Sequence, residues 1–185
     1  KGHVTRVSNK YPEYCEIQLS EFDRVAAGHF LPVCESQGEL KGYVRVVCAQ
    51  GGQAVGWTDR FPLSTRQHVI APAFPTSRAE VAAVRSLREI HGEKFSAMLD
   101  EDGAVSRVVL EGNSVTDVDI RLGVSRLQNL RHLTLNDTFV SKVGVNYLRT
   151  LDQLQTIDLA GTVIHADDLA GLRERLPGVE MRVSH

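Results

Sequence analysis

Cys48, Asp59 and His68 are the residues of this chain whose types could together support covalent chemistry. A cysteine attacks a carbonyl when an imidazole takes its proton and a carboxylate orients the ring. Such a trio would make a small hydrolase centred on the first 75 residues, and it is the one catalytic arrangement the sequence offers. Nothing fixes the three close together, and composition alone supplies such a trio in a chain this long. No strand–G-x-S-x-G–helix elbow occurs either. The reading that follows is that the chain is not an enzyme, with no catalytic residue assigned.

Other site chemistries fail at the spacing step. His3, His29, His68, His132, His165 and His185 are scattered. No H-x-x-x-H or H-E-x-x-H pattern sets two of them on one helical face, so no metal site is assigned. Cys15, Cys34 and Cys48 form no C-x-x-C, and an odd count leaves at least one thiol unpaired. A disulfide framework is therefore not expected. The cysteines read as buried, inert thiols, with a Cys34–Cys48 bridge as the alternative in an oxidising compartment. The glycines of Gly51-Gly52-Gln-Ala-Val-Gly56 are followed by no Lys-Ser/Thr pair, so they read as a hairpin turn rather than a phosphate cradle. Asp100-Glu101-Asp102 lacks the spacing of a calcium loop and reads as a solvated tight turn. No cofactor is expected.

The elements that would position a binding surface come from an internal repeat. Val105-Ser-Arg-Val108-Val-Leu110, Leu130-Arg-His-Leu133-Thr-Leu135 and Leu154-Gln-Thr-Ile157-Asp-Leu159 share the frame L-x-x-L-x-L, with starts 25 and then 24 residues apart, and Val179 follows 25 after Leu154. Asn113, Thr138 and Thr162 recur at one later position, Val115, Val140 and Ile164 at the next but one, and Ile120, Val145 and Leu169 beyond them. A short strand would lay its aliphatic residues inward, a polar turn would reverse the chain, and an amphipathic helix would return Leu127, Leu148, Leu151, Leu172 and Leu176 to the same core. One unit cannot bury its own apolar face, but a stack can.

These residues resemble the leucine-rich repeat family, in particular its short, Thr-containing bacterial repeats of planctomycete type. Thr116-Asp117, Gly144, Leu148, Leu172 and Leu176-Pro177 carry that pattern, and Leu172-Arg-Glu-Arg-Leu-Pro-Gly-Val-Glu-Met181 is similar to the family's closing repeat. The resemblance covers about residues 78–183. It implies an α/β fold: a short leucine-rich-repeat solenoid of parallel strands with one helix per repeat, joined to a small β-rich N-terminal unit. Departures are visible. Gly123 stands where the other units have Leu148 and Leu172, and Val179, Met181 and Val183 alternate out of phase with the frame.

Before the repeats, Ser77-Arg-Ala-Glu80 has the form of a capping box. Val81, Val84, Leu87 and Ile90 then mark one side of a helix, and Gly92 marks its end. A hairpin, Phe95–Leu99 with Val105–Leu110 through Asp100–Gly103, would cover the open edge of the first repeat strand. The domains are accordingly 1–75, a β-rich unit, and 76–185, a helical cap, about three repeats and a terminal strand. In the first domain Tyr14–Leu19, Tyr43–Cys48 and His68–Ala71 read as strands, Ser20–Leu31 as holding a short helix, and Pro72–Pro75 as a linker. Gly56-Trp57-Thr58 with Phe61-Pro62-Leu63 resembles the end of a bacterial SH3-like barrel, which would imply a module that binds the cell envelope.

Composition narrows the partners. The chain has 185 residues, 42% apolar and 24% charged, with net charge −2. Residues 1–75 carry +1 and the remainder −3, so neither part is a polybasic surface for nucleic acid or anionic lipid. No run reaches the roughly 18–20 apolar residues of a membrane span. Thin cysteine use favours the cytoplasm. Lys1 in place of Met reads as a processed or trimmed start and leaves an anchored or exported form open.

What remains is a surface. On L-x-x-L-x-L strands the intervening side chains point away from the core. Register sets Arg107, His132 and Thr156 in one row, Val109, Thr134 and Asp158 in a second, and Glu111 and Asn136 in a third. With strands about 4.8 Å apart, these eight residues form the candidate binding face. Its mixed polarity points to a protein partner, and the function expected is noncatalytic protein–protein interaction, as a module or accessory subunit of a larger assembly.

Overall fold

The computed structural model describes residues 2–8, 13–19, 25–35, 37–58, 63–65, 67–70, 72 and 76–183. The chain divides into two compact units, 1–81 with 99–104, and 82–98 with 105–185. The division falls inside a helix, and the tip of the following hairpin belongs to the first unit.

The first unit is a barrel. Its strands are β1 (Gly2–Val7), β2 (Tyr14–Leu19), β3 (Phe30–Cys34), β4 (Leu40–Gln50), β5 (Gln53–Trp57) and β6 (His68–Val69). They close in the order β1-β2-β5-β4-β3-β6, and β6 pairs back to β1. Alternation drives the closure. Cys15, Ile17 and Leu19 of β2 are buried while Tyr14 and Glu16 face out. With Val4, Leu31, Val33, Val44, Val46, Ala54 and Val69 they fill the interior. Gly56 is the tightest point, because a Cβ there would lie 2.0 Å from Val44 Cγ1 and 2.9 Å from Ile17 Cδ1. The hairpin between β4 and β5 turns through Gly51 (φ +56) and Gly52 (φ +87), conformations that glycine adopts without steric cost.

Ser77 caps the next helix, α1 (Arg78–His91), its Oγ accepting from the Glu80 amide at 3.0 Å. The Glu80 carboxylate is buried and accepts from the Tyr43 hydroxyl at 3.0 Å. Burial raises its pKa, the Tyr43 bond opposes that rise, and the Asp100 charge adds to it. Asp100–Ala104 form the tight turn, with Asp100 Oδ1 accepting from the amides of Asp102 and Ala104.

The second unit holds a five-stranded sheet in the order β11-β10-β9-β8-β7. Its strands are β7 (Phe95–Leu99), β8 (Val105–Glu111), β9 (His132–Asn136), β10 (Thr156–Asp158) and β11 (Glu180–Arg182). β8–β9, β9–β10 and β10–β11 are parallel. Val108, Leu133, Ile157 and Met181 share one inward row and are all buried.

The expected fold class, an α/β leucine-rich-repeat solenoid of parallel strands with one helix per repeat, is corrected. The chain is a mixed fold with two sheets. The first closes on itself through the antiparallel pairs β1–β2, β1–β6, β2–β5, β3–β4, β3–β6 and β4–β5. The return segments are not single helices. They are α2 (Asp117–Leu122) plus a 3₁₀ turn at Val124–Arg126, α3 (Lys142–Asn146) plus Tyr147–Thr150, and Ala166–Asp168 plus α4 (Leu169–Arg175). About twenty residues between strands leave no room for a long helix, and each segment tightens into 3₁₀ geometry at one end.

The departures at Gly123 and in the last strand have structural causes. A Cβ at Gly123 would lie 2.8 Å from Leu87 Cδ2, so a leucine of α1 fills the space that Leu148 and Leu172 fill in their own units. In β11, Met181 pairs with Ile157, which makes it the inward residue of a short closing strand. The short helix expected within Ser20–Leu31 is absent from the described part, where Ala27–Gly28 form a turn and Phe30 begins β3. Residues 20–24 lie outside the described residues, as do Asp59, Phe61-Pro62 and 73–75.

Gly56→Ala is expected to lower stability by about 1–3 kcal/mol through overpacking. Urea unfolding measures this, and an unchanged midpoint would show that the barrel interior has slack at that point.

Candidate functional site

The outward face of the parallel strands carries the eight residues picked out by the repeat frame. Arg107 pairs with His132 and His132 with Thr156; Val109 pairs with Thr134 and Thr134 with Asp158; Glu111 pairs with Asn136. Arg107 and Glu111 are exposed, and the other six are half-buried. Two residues of the same face escaped sequence reading. Glu180 pairs with Thr156 and Arg182 with Asp158, so β11 adds a fourth column. Their signal was the alternation around Met181, which carries a different phase from the other strands.

The face is ordered by polar contacts. His132 Nδ1 lies 2.9 Å from Thr156 Oγ1. Partial burial lowers the His132 pKa, and the nearby cations Arg107 and Arg131 lower it further. Arg182 Nε donates to Glu180 Oε1 at 2.9 Å. The Asp158 carboxylate accepts from the Ala160 amide at 3.1 Å. Asn136 Oδ1 is shielded from solvent and has no hydrogen-bond partner among the described residues. Charges of both signs therefore mix across the face, with Arg107 and Glu111 on β8, Asp158 on β10, and Glu180 and Arg182 on β11.

Of the catalytic trio considered from sequence, Asp59 lies outside the described residues, and strand pairing does not bring Cys48 and His68 together. β3 stands between β4 and β6 in the barrel, so Cys48 and His68 lie on strands that are not neighbours. His68 pairs with His3 and Cys34 instead. Cys48 is exposed beside a bulge and borders a groove of about 420 Å³ lined by Thr5, Glu16, Ile17, Gln50, Gln53, Ala54 and Val55. His68 is not among the lining residues. Cys15, Cys34 and Cys48 form no disulfide. Burial pushes the Cys15 thiol up to about 11, against a weaker opposing hydrogen bond from the Gly56 backbone. Among the described residues, no group of three or more His, Cys, Asp or Glu side chains converges as a metal site would require. No helix among them is long and apolar enough to cross a membrane.

A second polar cluster in this unit was also missed. His91, the last residue of α1, has a side chain with no solvent exposure. Its Nε2 lies 3.0 Å from Asp119 Oδ1 and its Nδ1 lies 3.5 Å from Ser114 Oγ. Asp119 Oδ2 accepts from the Thr116 amide at 2.8 Å and from the Thr116 hydroxyl at 3.0 Å. The sequence signal available was Thr116-x-x-Asp119 at a helix start, which marks the carboxylate but not the histidine that meets it.

Comparison with known proteins brings no relative. No protein-family description matches the sequence, no curated protein matches it, and no solved structure matches the fold.

Two outcomes test this geometry. Replacing Arg107 with Ala removes one of the cations that disfavour a charged imidazole, so the His132 pKa is expected to rise toward the ordinary histidine value. Proton NMR titration reads this directly, and an unmoved midpoint would place the guanidinium too far away to matter. Iodoacetamide is expected to modify exposed Cys48 in the native chain, with buried Cys15 and Cys34 reacting only on unfolding. Mass spectrometry of the native product would overturn this by showing adducts on Cys15 or Cys34.

Proposed function

We propose that the chain is a protein-recognition module, an accessory subunit whose second sheet binds a partner without performing chemistry on it. The observation that supports this is the lattice of side chains on β8 to β11. Arg107, His132, Thr156 and Glu180 form one row, and Val109, Thr134, Asp158 and Arg182 form the next. Strand pairing holds neighbouring columns about 4.8 Å apart, which offers a partner fixed charges of both signs at set intervals. Mixed charge of this kind fits a protein segment bearing its own acidic and basic groups. It does not fit a phosphate backbone, which needs clustered cations. Four columns span only about 15 Å, less than a standard interface of roughly 800 Å² per partner, so the partner also touches residues around the face.

The barrel groove supports a second reading, a site for a small polar or cell-envelope ligand, because Glu16, Gln50, Gln53 and Thr5 supply hydrogen-bonding groups along it. Sedimentation with isolated cell-wall material separates that reading from the first.

Affinity capture from source-cell extract, with the chain compared against the Arg107→Ala, His132→Ala, Asp158→Ala triple variant, tests the main reading. One partner retained by the chain and lost at least tenfold in the variant is the expected result. A partner held equally by both would remove the face from the interface. The three positions are not in the core, so circular dichroism should show an unchanged fold.

A further inference from the structure

Asp119 is held by three donors: the Thr116 amide and hydroxyl on Oδ2, and the His91 ring on Oδ1. A carboxylate only accepts hydrogen bonds, so His91 Nε2 must carry a proton. In the neutral ring the other nitrogen, Nδ1, is then a lone-pair acceptor. The group facing that lone pair at 3.5 Å is the Ser114 hydroxyl. The imidazole is shielded from water, while Ser114 is exposed. The hydroxyl of an exposed serine thus stands where it can donate to a buried base that a structural carboxylate orients.

We infer that Ser114 is an acyl-accepting nucleophile for carboxylic esters, with His91 as its general base and Asp119 as the positioning residue. This stands apart from the recognition face and does not depend on it. The nitrogens are used in the reverse sense from serine proteases, where Nδ1 meets the carboxylate, but the roles are set by geometry and not by atom names. The 3.5 Å hydroxyl–imidazole separation is longer than a working hydrogen bond, and catalytic contacts are often long until substrate tightens them.

Ser114 Oγ forms a bond to the ester carbonyl carbon as its proton passes to His91 Nδ1. The tetrahedral oxyanion collapses, the bond to the alkoxide breaks, and the alkoxide leaves as an alcohol with the proton from His91. Water entering where the alcohol left gives a proton to His91 Nδ1 and attacks the acyl carbon; the bond from that carbon to Ser114 Oγ breaks, Oγ takes the proton back from His91, and the carboxylic acid leaves. Asp119 stabilises the transient imidazolium throughout. The Lys94 ammonium lies over Gly112, where a Cβ would meet Nζ at 3.1 Å. It therefore places a positive charge beside the backbone two residues before Ser114.

The test uses the whole chain and a fluorophosphonate probe, with p-nitrophenyl acetate as the turnover substrate. One phosphonyl adduct, mapped to Ser114, is expected, together with ester hydrolysis that Ser114→Ala abolishes. General-base assistance contributes at least about 100-fold, so His91→Gln should slow labelling by that factor. Circular dichroism shows whether that variant is folded. Because a buried substitution can fail to fold, nitrogen NMR of the unmodified His91 ring gives a second readout. It should show a protonated Nε2 and a bare Nδ1, and Asp119→Ala should release the second tautomer and slow labelling with it. An unlabelled Ser114, a folded His91→Gln that labels at the original rate, or a ring protonated on Nδ1 would each overturn the inference.

Discussion

Strand register in the second unit governs both its interior and its surface. Each of β8 to β11 has one apolar side, and only a neighbour in register covers it. Val108, Leu133, Ile157 and Met181 make a continuous inward row, and Leu110 and Leu135 extend it on two strands. At about 25 cal/mol per Å² of apolar surface removed from water, these rows favour a single alignment. A slip of one residue would exchange the two faces, exposing the leucines and burying Arg107, His132 and Asp158. The outward rows therefore need no separate device to align them.

The turns carry the same stacking into polar groups. Asp117 of one unit accepts from both the amide and the hydroxyl of Ser141 in the next, each at 2.7 Å. That approach is close because Gly144 has no side chain: a Cβ there would sit 2.3 Å from Asp117 Oδ1. One unit later, Lys142 donates to Asp168 at 2.9 Å, a more exposed pair that holds less firmly. Successive units are thus joined by unlike chemistry, although Asp117 and Lys142 occupy the same place in their units. The first junction is sealed by partly buried hydrogen bonds and the second by a solvated ion pair.

Legibility in the sequence followed periodicity. The frame at Val105, Leu130 and Leu154 marks which side chains turn inward, because aliphatic residues recur where strands must bury them. It did not reveal that each return segment breaks into α and 3₁₀ pieces, since that depends on loop length and on occupants such as Leu87 beside Gly123. In the first unit Tyr14–Leu19 alternates visibly and is β2. Closure of the barrel was not visible, because β6 is two residues long and joins β1 to β3 across large sequence separations. The pairing of His68 with Cys34 instead of an approach to Cys48 follows from that closure. Of the outward face, the columns from β8 to β10 could be read from spacing, and the β11 column could not, because its phase differs.

The His91 cluster was illegible for a more general reason. Ser114 and Asp119 lie 23 and 28 residues from His91, and no motif joins a helix end to a following loop at that distance. What brings them together is capping. The start of α2 needs its first amides satisfied, and Thr116 with Asp119 does so as a reciprocal box. That arrangement uses one carboxylate oxygen and leaves the other facing the place where α1 ends. Gly92, at φ +56, ends α1 there, which leaves His91 as its last residue with an imidazole that must find a partner once buried. Two requirements of helix ends, a capped start and a satisfied last side chain, are met by one carboxylate. The lone pair they leave over, on Nδ1, is the base that Ser114 meets.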